Sequence, residues 1–132
     1  MNQAQYNRAI SEFTLAIELK PGYAAAYRNR GFAYIKLKTN QRGTDTDLEK
    51  ALPDLIRAQR LTPENSIVYR NLACYYAEIY KVDQTNEDLQ KAIENLQEAK
   101  KFGFRENKWI EYEECFEIIL EQTRFREVLD EL

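Results

Sequence analysis

Two Arg–Asn pairs, Arg28-Asn29 and Arg70-Asn71, stand 42 residues apart in a chain of 132. A guanidinium presents a planar fork of donors that fits a carboxylate. An amide side chain offers both a donor and an acceptor to a peptide backbone. Recurrence at a fixed interval suggests that both pairs occupy the same place in two copies of one unit. They suit the recognition of a carboxylate-bearing peptide, against the plainer alternative of two solvated polar pairs.

Other chemistry finds little support. The chain has no His, which removes the commonest general base and the commonest metal ligand. Asp45-x-Asp47-x-Glu49 alternates acidic residues as a calcium loop does, but it lacks the glycine and the distal glutamate of such a loop. Glu111, Glu113, Glu114 and Glu117 cluster without a histidine beside them and read as a solvated face. No phosphate-cradling glycine loop is present. The expectation is therefore a protein that is not an enzyme, with no metal and no cofactor. Cys74 and Cys115 lack CxxC spacing and read as reduced, buried thiols, Cys74 as a core or groove residue. Reduced thiols suit a cytoplasmic location. With 19 basic and 22 acidic residues and a net charge of -3, a nucleic-acid partner is disfavoured, because phosphate neutralisation needs a basic face. No apolar run approaches the roughly 18 residues of a membrane span. No leader-type segment follows Met1, so no membrane partner is expected.

The elements that must position the Arg–Asn pairs emerge from a repeat. Ala9, Phe13, Ala16 and Pro21 recur at the same spacings as Ala51, Leu55, Ala58 and Pro63, 42 residues later. Ala92, Leu96 and Ala99 follow after 41 more, with Gly103-Phe104 where the proline would fall. Between them, Tyr27, Gly31 and Tyr34 recur as Tyr69, Ala73 and Tyr76, again 42 apart. Two interleaved motifs with one period mark a repeat array. Each motif has helical spacing. Pro21 and Pro63 separate one helix from the next, because the residue before proline avoids the αR region. Small residues stand where helices approach closely, and large ones fill the space beside them.

These motifs resemble the tetratricopeptide (TPR) repeat family, whose pattern runs aromatic-x2-Leu-Gly-x2-Tyr, then Ala-x3-Phe-x2-Ala, then Pro. Tyr27-x2-Arg30-Gly31-x2-Tyr34 fits with Arg in place of Leu, and Tyr69-x2-Leu72-Ala73-x2-Tyr76 fits with Ala in place of Gly. The resemblance covers about residues 4–104. It implies an all-α fold, a right-handed solenoid of antiparallel helix pairs closed by C-terminal capping helices. It implies one domain over 1–132: a half repeat over 1–22, repeats over 23–64 and 65–104, and capping helices over 105–132. It further implies a concave groove that binds a protein or peptide, the chain serving as a non-catalytic scaffold or adaptor. The rival reading makes the chain the recruitment part of a larger enzyme or multi-domain protein.

On that resemblance the groove residues are Arg28, Asn29, Phe32 and Lys36 from the first full repeat, then Arg70, Asn71 and Cys74 from the second, with Lys108 beyond. Ala25, Ile67 and Glu78 lie among them. Some family members clamp a terminal carboxylate between Lys, Asn and Arg side chains. Arg28, Asn71 and Lys108 stand at compatible places for such a clamp, but Phe32 and Tyr112 do not.

The repeat departs from the family in its length. The family period is about 34 residues, so each full unit carries an insertion, over 38–45 and 81–87, read as two surface loops. Thr46-x2-Glu49 is a candidate capping box, and Thr85 or Asn86 a candidate cap. Pro53 should delay or kink its helix. The chain begins mid-repeat, which leaves Tyr6, Ile10, Phe13 and Ile17 as an open apolar flank on the N-terminal helix. Residues 1–40 carry six basic and two acidic side chains, and 105–132 carry four and nine. A homo-oligomer formed through the N-terminal helix is therefore a further expectation. Beyond Arg105, a long helix over Lys108–Leu120 and a short one near Phe125–Leu132 are expected.

Overall fold

A computed structural model describes residues 2–39, 45–104, 114–116 and 127. The described residues form five α-helices and one 3-10 turn, without a strand. The helices are α1 (Gln3–Leu19), α2 (Ala24–Thr39), α3 (Asp45–Leu61), α4 (Ser66–Asp83) and α5 (Asn86–Lys101); the 3-10 turn is Glu114–Phe116. The protein is all-α. It divides into two compact units, Met1–Glu64 and Asn65–Leu132.

Local chemistry sets the helix ends. Asn2 accepts a hydrogen bond from the Gln5 N–H at 2.9 Å while the Gln5 side chain accepts from the Asn2 N–H at 2.7 Å, a reciprocal capping box. Asn65 accepts from the Ile67 and Val68 N–H groups, and Thr85 accepts from the Asp88 N–H. Each satisfies donors that the first turn of a helix leaves without intrahelical partners. Gln84 ends α4 in the left-handed region at φ 53°. Gly103 follows α5 at φ 113°, a conformation that glycine adopts without a Cβ clash.

In the first unit α2 packs on both α1 and α3. Tyr6 and Ile10 of α1 close against Ala33, Tyr34 and Leu37 of α2. On the other side, a Cβ at Gly31 would lie 3.0 Å from Leu55 and 3.3 Å from the Ala51 carbonyl oxygen. The glycine is thus what lets α2 and α3 approach this closely. Leu48, Ala51, Leu55 and Ala58 are fully buried along α3. The Tyr27 hydroxyl donates to the Pro21 carbonyl at 2.9 Å and ties α2 to the turn before it.

In the second unit α4 pairs with α5. Leu72, Ala73 and Ala77 are buried on α4, as are Ala92, Ile93, Leu96 and Ala99 on α5. Tyr69 stacks on Phe102 with ring centroids 5.4 Å apart.

Several expectations need correction. Residues 81–83 extend α4, and only Gln84 and Thr85 separate it from α5, so the second insertion is mostly an added helical turn. Lys38 and Thr39 likewise belong to α2, and Asp45 to α3. Thr46 therefore lies inside α3 and caps nothing. Pro53 does not delay α3, which begins at Asp45; Pro53 is exposed, on the side away from the core. The Tyr6–Ile17 stripe is not an open flank: Tyr6 is buried, and Ile10, Phe13 and Ile17 are half-buried. The exposed apolar residues of α1 are Leu15 and Leu19. Glu114–Phe116 form a 3-10 turn where a continuous α-helix was expected. The rest of the expected helix over 108–120, and the closing helix near 125–132, lie outside the described residues except for Glu127.

Candidate functional site

The candidate residues of the first unit lie along one side of α2. Arg28, Asn29, Phe32 and Lys36 fall within about 100° of arc at the helical period. Asn29 is exposed and the other three are half-buried. Lys36 holds its ammonium 5.8 Å from the Phe32 ring centroid, so a cation and an apolar ring make one surface. The Arg28 Nε is buried and has no hydrogen-bond partner. A guanidinium N–H out of water without an acceptor is a group a ligand oxygen can satisfy.

The equivalent residues of α4 have a different fate. Arg70 and Asn71 are buried, Asn71 to 1 % exposure. The Asn71 Oδ1 has no hydrogen-bond partner. Glu78, which stands where α2 has Lys36, is buried and pairs with the Lys81 ammonium at 2.6 Å. The charge on this part of the face is thereby reversed and internally neutralised. Cys74 stands where α2 has Phe32, and it is joined to Cys115 by a disulfide with Cα atoms 5.4 Å apart. The two cysteines are buried, as expected, but they are not reduced thiols, and Cys74 is a core residue rather than an open groove residue: its sulfur is committed and no part of it reaches solvent. The spacing of 41 residues carried no disulfide signature, because the pairing depends on where Glu114–Phe116 sits against α4. Lys108 lies outside the described residues.

Behind the α2 face stands a polar clamp that the motif reading missed. Arg30, in the position where the tetratricopeptide pattern has leucine, donates from Nε to Asp54 Oδ2 at 2.7 Å and from Nη2 to Asp54 Oδ1 at 2.6 Å. Its Nη1 donates to the Thr14 hydroxyl at 3.2 Å. One guanidinium thus links α1, α2 and α3. Hydrogen bonding to Asp54 raises the Arg30 pKa, against the opposing effect of burial. Arg30 and Arg57 also sit 5.9 and 5.8 Å from the Tyr27 ring centroid. The available signal was an arginine in place of an apolar motif residue, with an aspartate at a core-facing position of the next helix.

A second charged cluster closes α4 onto α5. Asp83 accepts from the Thr85 N–H at 3.0 Å, and the Thr85 hydroxyl donates to Asp88 at 2.9 Å. Burial and the nearby Asp83 carboxylate raise the Asp88 pKa; hydrogen bonds from Asp88 and Thr85 lower that of Asp83. The two carboxyls meet around Thr85 at the helix junction, which is a capping role.

Among the described residues no group of three or more acidic or cysteine side chains is arranged to hold a metal ion. No described helix is long and apolar enough to cross a membrane. No protein-family model matches the chain, and no curated protein matches it.

Proposed function

We propose that the chain is a non-catalytic peptide- or protein-binding module built from tetratricopeptide-like helix pairs arranged as an α-solenoid. The observation that carries this reading is the α2 face: Arg28 with an acceptor-less buried N–H, exposed Asn29, and the Phe32–Lys36 cation–ring pair. Together they offer a fork for a carboxylate, an amide for a backbone and an apolar shelf for a side chain. The repeat of Tyr27, Gly31 and Tyr34 as Tyr69, Ala73 and Tyr76, and the packing of α2 on α3 and of α4 on α5, support the helix-pair reading. The ligand is an acidic peptide, and the chain acts as an adaptor, or as the recruiting part of a larger protein. Self-association through α1 would use Leu15 and Leu19, its exposed leucines.

A cytoplasmic location belongs to the same proposal. There the reducing thiol pool would hold Cys74 and Cys115 apart, whereas an oxidising compartment would keep them bonded.

A displayed random-peptide library selected on the full chain tests the binding reading. Acidic sequences should be enriched. Losing charge-assisted contacts worth about 1.5–3 kcal/mol should weaken their binding to Arg28→Ala/Asn29→Ala by tenfold or more, with unchanged helicity. Enriched peptides that bind the double variant as tightly as the parent would refute the α2 face as the site.

A further inference from the structure

Helix α2 carries four basic residues and no acidic one. The unit around it, Met1–Glu64, holds ten basic and seven acidic side chains, whereas Asn65–Leu132 holds nine and fifteen. An acidic partner is therefore drawn to the first unit rather than the second. On α2, Arg28, Phe32 and Lys36 follow one another at intervals of four, so cation, ring and cation stand in a row. The row is half-buried, and Asn29 beside it is exposed. The pattern is confined to α2. The matching positions of α4 are Arg70, Cys74 and Glu78, all buried, and the last of them is acidic.

Helix geometry sets the spacing of the row. Four residues rise about 6 Å along the axis, so Arg28 and Lys36 stand about 12 Å apart with Phe32 midway. Two partner conformations match this step. An extended segment places alternate side chains on one side every 6.6 Å, roughly, and drifts by only about 1 Å over three contacts. A helical segment matches it with every fourth residue. The surroundings of the row favour the extended form. Asn29 offers an amide donor and acceptor one residue from Arg28. An extended backbone has N–H and C=O groups left to meet them, whereas a helix uses its own internally. The Arg28 Nε is buried without an acceptor, and a carboxylate meets a guanidinium through two parallel bonds. Lys36 has three ammonium donors, so its 5.8 Å approach to the Phe32 ring leaves it able to meet a further oxygen.

We infer that α2 reads an extended segment of five residues laid along the helix axis: an acidic side chain against Arg28, an apolar one on the Phe32 ring and a second acidic one against Lys36, at alternate positions. This inference rests on the function proposed above and specifies its ligand. The two intervening side chains of the segment point away from α2 and are free to vary. The pattern reads the same in both chain directions.

Three fluorescein-labelled peptides, capped at both termini so that no terminal charge contributes, test the register on the full chain. The first has the order Glu-Ser-Leu-Ser-Glu between glycines. The second is its isomer, Leu-Ser-Ser-Glu-Glu between the same glycines. The third is alanine-rich and helical, with Glu, Leu and Glu four residues apart. The first should bind at least tenfold more tightly than either of the others. Replacing its Leu by Ser should weaken it to the level of the isomer. In Arg28→Gln and Lys36→Gln, with helicity checked at 222 nm, each protein change should remove the effect of one Glu→Gln change in the peptide and leave the effect of the other. Where a variant loses helicity, the peptide comparison on the parent decides. Equal binding of the first two peptides, both weakened in Arg28→Ala/Asn29→Ala, overturns the register and leaves an acidic-peptide site standing. Tighter binding of the helical peptide overturns the extended form. Two glutamates that lose their effect in the same variant overturn the one-to-one reading. Binding of none of the three removes the register together with the function it rests on.

Discussion

Exchange of the Arg30–Asp54 clamp for apolar side chains should show that the pair couples three helices without being the main source of their stability. Two charge-assisted hydrogen bonds at 2.6 and 2.7 Å join the groups, whose side chains are 19 % and 7 % exposed. Removing one partner of a well-buried ion pair costs about 3–5 kcal/mol, because the other charge is left uncompensated. Arg30 keeps a route to water, which places Asp54→Ala near the bottom of that range, about 3 kcal/mol, and Arg30→Leu at a similar figure, since Asp54 is the more deeply buried charge. In Arg30→Leu/Asp54→Leu neither charge remains. The first substitution restores the leucine of the repeat pattern, and the second fills the space with apolar volume. A loss of about 1 kcal/mol or less is expected for that pair, because apolar replacements of buried ion pairs are often neutral. Urea unfolding followed at 222 nm measures all three. At a slope of roughly 1.5–2 kcal/mol/M, each single variant should move the midpoint down by about 1.5–2 M and the double variant by about 0.7 M or less. Hydrogen exchange of the α1, α2 and α3 amides assigns the change to residues 3–61. Single effects that simply add in the double variant would refute the reasoning, because they would mean the two side chains act independently.

Two further outcomes follow from local geometry. Gly31→Ala places a Cβ 3.0 Å from buried Leu55 and 3.3 Å from the Ala51 carbonyl; overpacking of about 1–3 kcal/mol should exceed the roughly 1 kcal/mol gained in helix propensity, and a rise in the melting temperature would refute the close approach of α2 and α3. Asp83 and Asp88 should titrate in two steps on opposite sides of the ordinary aspartate value of about 3.9, as read by carboxyl-carbon NMR. Asp88, raised by burial, stabilises the fold in its protonated form, fully below 3.9 and less as pH rises through its raised value. Asp83, lowered by Asp88 and Thr85, stabilises above 3.9 and loses that contribution as pH falls through its lowered value. Superimposed titrations at the ordinary value would refute the opposed shifts.

The sequence by itself determined the helices and their pairing within each unit, because both follow from local periodicity. Tyr27, Gly31 and Tyr34, then Ala51, Leu55 and Ala58, place small and large residues on one face at 3.6-residue spacing, and a helix so patterned buries that face. Thr85 was legible as one of two candidate caps, with Asn86, for the same reason: a cap acts within three residues. Tertiary structure decided whatever depends on partners distant in the chain. Arg30 meets Asp54, 24 residues on, only because α3 folds back along α2. Cys74 meets Cys115 only because Glu114–Phe116 returns to α4. The exposed side of α1 was misjudged because Tyr6 and Ile10 find cover in Ala33 and Leu37 of α2, which leaves Leu15 and Leu19 outside. The added residues over 81–83 read as loop from the family period but continue α4, because a helix runs on until a cap stops it, here Gln84 in the left-handed conformation. Helical period is written residue by residue along the chain, whereas burial and pairing belong to surfaces that exist only after the helices have packed.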